Sequence, residues 1–126
     1  MRQYVDSSVL VDRALAVMNA KHRLGVTSDT YSLVTSELTV VEVWRVLHRF
    51  GLDDAPGRRV DLALSDVDLL SLGPTTLSVA ARLPVRHLKS LDAIHVASAL
   101  ITRCDVVLTR DRQMARACEE LGLAVA

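Results

Sequence analysis

Apolar and polar positions along the chain change their period several times, and each change marks an element. Gln3-Tyr4-Val5 is a short apolar run ended by Asp6, which predicts a strand. Ser7-Ser8 can cap the next element. Val9, Leu10, Ala14, Leu15 and Met18 then recur at helical spacing, predicting a helix from about Val9 to Ala20. Lys21 to Tyr31 is polar, with Gly25 and Asp29, and reads as a loop or frayed helix. Ser32 to Ser36 is a second strand. Thr39 to Glu42 opens a helix that runs to about Phe50 and stops at Gly51. On it Glu42, Arg45 and Arg49 share one face; Val43, Leu47 and Phe50, with Trp44 or Val46, make the other. Asp53-Asp54-Ala55-Pro56 reads as a helix start with proline near the first position, followed by Arg58, Arg59, Val60, Leu62 and Ala63. Val67 to Leu72 is a third strand, and Pro74 to Leu83 a helix closed by Pro84.

The stretch Leu88 to Asp111 carries the most information. Ser90 is the expected N-cap of a helix with Asp92 in its first turn. Leu91, Ile94, Ala97 and Ile101 give that helix an apolar face, with Ser98 at its edge. Past Arg103-Cys104 the pattern becomes β-branched, and Asp105 to Thr109 reads as a buried strand stopped by Arg110-Asp111. Arg112 to Leu121 is a last helix with Gly122 just past its end, and Leu123 to Ala126 a marginal final strand. Strands alternating with helices call for an α/β fold, a parallel sheet with helices on both faces. The 126 residues show no repeat, low-complexity segment or linker, so one domain spanning 1–126 is expected.

In such a sheet helix N-termini and strand C-termini share one edge, where ligands bind. Asp6 ends the first strand and Asp111 follows the strand after the Asp92 helix. Glu42 and Asp92 lie near helix starts. Singly, each acid has a simpler explanation. Asp6 or Ser7 can cap a helix, and Thr39 with Glu42 fits a capping box. Asp92 can complement a helix dipole, and Asp111 can be an N-cap. Together they converge, because the first strand of such a sheet is usually central. Close anions repel one another, and a hard divalent cation relieves that repulsion. Oxygen-only donors suit Mg²⁺ or Mn²⁺, and no histidine lies within two residues of these acids, which disfavours zinc.

Bulk properties narrow the function classes. Aromatic residues are only 3% against 50% apolar, so the core is built from Val, Leu and Ala. No apolar run approaches the roughly 18 residues of a membrane span, and charge comes too early for a secretory signal. A cytoplasmic protein is expected. Cys104 and Cys118 lack metal or redox spacing and read as reduced, part-buried thiols. Net charge is zero, so there is no global basic field for nucleic acid. The cations are thirteen Arg and two Lys, which suits phosphate contacts or reflects GC-rich coding. His22, His48 and His87 are scattered, which argues against a ribonuclease working with paired imidazoles. His95 lies one turn after Asp92, either as its partner or as a satisfied helix histidine. Trp44 reads as core or partner contact, with core packing favoured. A phospho-acceptor receiver domain needs an acidic pair at the first strand and a late Lys, and both are missing. A dehalogenase-type phosphatase needs an Asp-x-Asp motif that Asp6-Ser7-Ser8 lacks. A non-catalytic binding protein on the same fold would not need the intact acidic set.

The segments Tyr4–Val11, Ser36–Leu47, Leu88–Leu100 and Val106–Ala115 resemble the four motifs of the PIN-domain ribonucleases, and most closely those of the VapC toxins of type II toxin–antitoxin pairs. The resemblance covers nearly the whole chain, and Asp92–Leu100 is its most specific piece. It implies a sheet order of 3-2-1-4-5 and a Mg²⁺- or Mn²⁺-dependent endoribonuclease leaving 5′-phosphate and 3′-hydroxyl ends. The implied acidic quartet is Asp6, Glu42, Asp92 and Asp111. Asp6, Asp92 and Asp111 would be metal ligands, and Glu42 would bind a second metal or orient the water. Ser7 and Thr109 would support them. Arg110 and Arg112 flank Asp111, and by position they either grip RNA phosphate or form a solvated pair at a helix start. A homodimer and a VapB-type antitoxin, whose C-terminal segment covers the groove, are also implied. The alternative within the family is a housekeeping RNA-processing nuclease; a single compact domain favours the toxin.

Overall fold

A computed structural model describes residues 1–16, 31–52 and 56–126. Short apolar and β-branched runs form β1 (Arg2–Val5), β2 (Ser32–Ser36), β3 (Val67–Leu70), β4 (Val106–Leu108) and β5 (Ala124–Val125). All pairings are parallel, in the order β3-β2-β1-β4-β5, as the resemblance implies. Parallel neighbours need crossovers, and these are α1 (Ser7–Ala16), α2 (Glu37–Arg49), α3 (Pro56–Leu64), α4 (Pro74–Ala81), α5 (Ser90–Ile101) and α6 (Arg112–Glu120). The chain builds outward from β1 on one side, then returns to build on the other. That reversal makes β1 central and opens a crevice at its C-terminal end.

Successive β1 residues feed opposite cores, as the pleat requires. Tyr4 packs with Val34, Val96, Val107 and Met114 on the side covered by α5 and α6. Val5 packs with Leu10, Val43, Leu47 and Val60 on the side covered by α1, α2 and α3. A two-pronged ion pair from Arg13 to Asp66, at 2.9 and 3.0 Å, clamps α1 to the turn before β3. Gly51 (φ 66°) and Gly122 (φ 79°) follow the ends of α2 and α6 in the left-handed region that glycine tolerates. Cys104 and Cys118 are free and buried, and burial pushes the Cys118 thiol up to about 11. No described helix is long and apolar enough to cross a membrane.

Several expectations are corrected. α2 starts at Glu37, not near Thr39, because β2 runs straight into it and Ser36 is the cap. α5 is capped at Lys89, which leaves Ser90 inside the helix. The buried face of α5 is Ala93, Val96, Ala97 and Ala99 with His95 and Ser98, while Leu91 is 51% exposed. Phe50 (64% exposed) and Trp44 (40%) stand outside the core, whereas Val43 and Leu47 fill it. β3 and α4 each end two residues early. The readings at 17–30 and 53–55, including Met18, His22 and the far end of the first helix, lie outside the described residues.

The contrast on α2 is testable. Leu47→Ala should lower unfolding free energy by about 2–5 kcal/mol, because it opens a cavity in a closed core. Phe50→Ala should change it by less than about 0.5 kcal/mol. Denaturant melts of both variants measure the difference.

Candidate active site

Strand register brings the ends of three strands level. Val5 pairs with Leu108, and the Asp6 N–H donates to the Leu108 carbonyl at 2.9 Å, carrying the ladder one residue past β1. Asp6 therefore stands beside Thr109. Tyr4 pairs with Val34, which puts Ser36 beside Asp6 on the other flank. Helices α1, α2 and α6 begin at or just after these strand ends.

Asp6 is only 3% exposed, and a buried carboxylate needs donors. Its Oδ2 accepts from Ser8 Oγ at 2.8 Å and from Thr109 Oγ1 at 2.9 Å. Ser7 Oγ reaches Oδ1 only at 3.5 Å, so Ser8, not Ser7, is the stronger support. Both supporting hydroxyls are oriented from behind. Ser8 Oγ accepts from the Arg110 N–H and Thr109 Oγ1 from the Asp111 N–H, each at 3.1 Å. Each hydroxyl hydrogen is thereby left to point at Asp6.

Glu42 occupies the second turn of α2, and no capping box forms. Ser36 Oγ accepts from the Leu38 N–H at 3.1 Å, and the buried Thr39 hydroxyl pairs with Thr35 Oγ1 at 2.7 Å. The Glu42 carboxylate is instead bonded to His95 Nε2 at 2.5 Å. The same nitrogen lies 3.7 Å from Asp6 Oδ1. Burial lowers the His95 pKa, but the bond to Glu42 and the charges of Glu42, Asp6 and Asp92 outweigh it, and the net shift is upward. His95 is thus a satisfied helix histidine whose partner is Glu42.

Asp92 lies in the first turn of α5 as expected. Burial raises its carboxyl pKa, and the charges of Asp111, Asp6 and Glu42 raise it further against a smaller opposing effect of His95. All four acids therefore share one electrostatic neighbourhood. Asp111 also proves to be the N-cap of α6, its Oδ1 accepting from the N–H groups of Gln113 (2.8 Å) and Met114 (3.1 Å). Among the described residues no three His, Cys, Asp or Glu side chains draw close enough to form a ready-made metal cage. The donor set still fits a hard cation. Mg²⁺ takes one or two carboxylates and fills its remaining positions with water and phosphate, so it needs no closed protein cage.

Sequence patterns missed Tyr4 as a participant, read Ser8 only as a helix cap, and singled out His95 without its partners Glu42 and Tyr4. One signal was available for Tyr4: a phenol in a buried strand must find a hydrogen-bond partner. Arg110 is tied to Asp12 of α1 by a 2.8 Å ion pair, and Arg112 is exposed at the start of α6.

The model of the PIN domain family matches residues 3–120. The chain is 34% identical over 125 residues to Ribonuclease VapC46 of Mycobacterium tuberculosis, covering 97% of this chain and 94% of that protein. It is 33% identical over 96 residues to Ribonuclease VapC47 of the same organism, covering 73% and 68%. Its backbone is similar to that in the crystal structure of VapBC2 from Rickettsia felis bound to a DNA fragment from their promoter. There the TM-score is 0.77 at 10% identity, with 100% of this chain and 98% of that one covered.

Crowding of the acids has a sign that can be checked. The folded pKa of Asp92 lies above its unfolded value, so the folded state binds the extra proton between the two. Its contribution to stability therefore falls as pH rises through the carboxylate range, and ionised Asp92 is a cost at neutral pH. Asp92→Asn should raise the Tm of the metal-free protein at pH 7 and leave it nearly unchanged below the unfolded carboxylate pKa. Thermal melts across pH, with chelator present, measure this.

Proposed function

The chain belongs to the PIN-domain family, and we propose that it is the endoribonuclease toxin of a type II toxin–antitoxin pair, hydrolysing RNA phosphodiesters at the crevice around Asp6. One observation carries the assignment to this crevice. Carboxylates from two separate elements, Asp6 after β1 and Glu42 on α2, converge on one imidazole nitrogen at the sheet edge. Asp92 and Asp111 add their field to the same place. His95 and the helix N-termini offset only part of the repulsion among these acids, and a divalent cation with a phosphate would relieve the rest.

A bound Mg²⁺ or Mn²⁺ supplies charge neutralisation at the scissile phosphate and a more acidic water. Asp6 and Asp92 would hold the ion, and Asp111 would contribute through Oδ2, since both of its capping bonds use Oδ1. Ser8 and Thr109 fix the rotamer of Asp6 through Oδ2, and Oδ1 has no hydroxyl donor closer than Ser7 at 3.5 Å. Glu42 orients the attacking water and takes its proton. Arg112 is better placed than Arg110 to meet RNA phosphate, because Arg110 is engaged by Asp12. The partner is a VapB-type antitoxin that covers the crevice, and the toxin works as a homodimer in the cytoplasm. The apolar side chains left outside the core on α2, Val41, Trp44 and Phe50, are available for such contacts.

Asp6→Asn and Asp92→Asn should each lower kcat/KM for RNA cleavage with Mg²⁺. The loss should exceed the roughly 10–100-fold typical of removing a group one step behind a ligand. Full turnover in both variants would remove the mechanism. Millimolar Mg²⁺ or Mn²⁺ should also raise the Tm by mass action on the folded state, and Asp6→Asn should abolish the shift.

A further inference from the structure

We propose that Tyr4 and His95 form a positioning strut for this reaction, holding the Glu42 carboxylate beside Asp6 and keeping the three acid-bearing elements β1, α2 and α5 in register. The inference rests on the nuclease function proposed for this crevice and assigns roles to residues outside the acidic quartet.

The geometry is a continuous chain. The Ser36 N–H donates to the Tyr4 hydroxyl oxygen at 3.2 Å, the Tyr4 hydroxyl meets His95 Nδ1 at 2.7 Å, and His95 Nε2 meets Glu42 Oε1 at 2.5 Å. Tyr4 is 0% and His95 1% exposed, so water does not compete for these bonds. The two rings stand edge to face, with centroids 5.9 Å apart and planes at 64°, so the phenol also braces the imidazole sterically.

Hydrogen-bond direction is set by the donors and acceptors each group carries. An ionised Glu42 only accepts, so Nε2 carries a hydrogen. In the neutral imidazole Nδ1 then accepts, and the phenol donates to it while its oxygen takes the Ser36 N–H. Burial raises the Tyr4 pKa far enough that the phenol keeps its hydrogen. A second proton on His95 would reverse only the Nδ1 bond, and the phenol hydrogen would turn toward Thr35 or Ser98, which also interact with it. The Nε2–H bond to Glu42 is the same in either state. The strut thus works without depending on the charge of the imidazole.

Placement gives the strut its function. Tyr4 is two residues before Asp6, so the pleat puts both on one side of β1. His95 is three residues after Asp92, so both lie on one side of α5. Glu42 is on a third element and is about a quarter exposed, at 24% of its side chain. Without a fixed partner such a long side chain samples several rotamers, few of which face Asp6. A donor between the two carboxylates also weakens their repulsion.

RNA cleavage kinetics with Mg²⁺ test this. His95→Phe fills the space and removes both nitrogens; it should lower kcat about 10–100-fold, as loss of an orienting partner does, with KM for RNA within about twofold. His95→Gln restores an N–H near the Nε2 position and should recover most of the loss. Tyr4→Phe should give a smaller fall with the same split. In a Glu42→Ala background neither His95→Phe nor Tyr4→Phe should reduce kcat further, because their effect passes through Glu42. Full additivity in that background, or a rise in KM alone, overturns the proposal. So does an unaffected kcat in Glu42→Ala, and if Asp6→Asn is inactive in the same assay the nuclease function survives that failure. If His95→Phe does not fold by circular dichroism, the Tyr4→Phe and Glu42→Ala cycle decides alone.

Discussion

A carboxylate almost out of contact with water sets the terms for this molecule. Asp6 can be buried at the end of β1 only because hydrogen-bond donors wait for it there. None of the closest donors is near it by accident. Ser8 is held within reach by the first turn of α1, which starts immediately after Asp6. Thr109 is level with Asp6 because Val5 pairs with Leu108. The imidazole of His95, bonded to Glu42 and 3.7 Å from Asp6, reaches across from a helix that packs on the Tyr4 side of the sheet and adds only its field. A one-residue slip between β1 and β4 would turn Thr109 to the other face and leave the buried carboxylate with one close hydroxyl donor, Ser8, in place of two. The register of the central strands and the survival of Asp6 are therefore one condition.

From that condition the electrostatics of the edge follow. Helices α1, α2, α5 and α6 start at this end of the sheet, and helix N-termini favour negative charge. That background tolerates acids but does not neutralise them, as the raised Asp92 carboxyl shows. The edge is left with more negative charge than its own donors offset, a local imbalance in a chain whose formal charge is zero. Supporting groups and charged groups are segregated. The Ser8 and Thr109 hydroxyls donate to Asp6, and backbone N–H groups behind them orient those hydroxyls.

Much of this was legible because strand ends and helix starts have local signals. The strands expected up to Asp6, Ser36 and Thr109 were readable from apolar and β-branched residues and end at Val5, Ser36 and Leu108; Asp6 and Asp111 lie just past strand ends and Asp92 at a helix start, as expected. The order of the strands was not; it came from resemblance to a family. Errors cluster at junctions and at faces set by tertiary packing. Ser36 both pairs with Leu70 in the sheet and caps α2, and a reading that looks for a loop between strand and helix starts the helix too late. That error made Thr39 and Glu42 look like a capping box, whereas Thr39 is bonded to Thr35 and Glu42 is free to reach His95. On α5 the apolar stripe was read as one-sided. The helix is enclosed by α4, α6 and the sheet, so small residues and His95 are buried while Leu91 is not.

The contacts hardest to foresee join residues distant in sequence through polar atoms. Nothing near Tyr4 announces His95, ninety-one positions away, and hydrophobic periodicity is blind to a hydroxyl. The sequence did contain an obligation: a tyrosine in a central strand must satisfy its hydroxyl inside the protein. Three consecutive residues of this chain divide the labour accordingly. Val5 fills the core beneath α1, α2 and α3, Tyr4 fills the opposite core and braces His95, and Asp6 meets the crevice. Core and site are thus continuous along β1. A change that repacks Val96 or Met114 around the Tyr4 ring displaces the imidazole, and through it the Glu42 carboxylate, without touching any acid of the quartet.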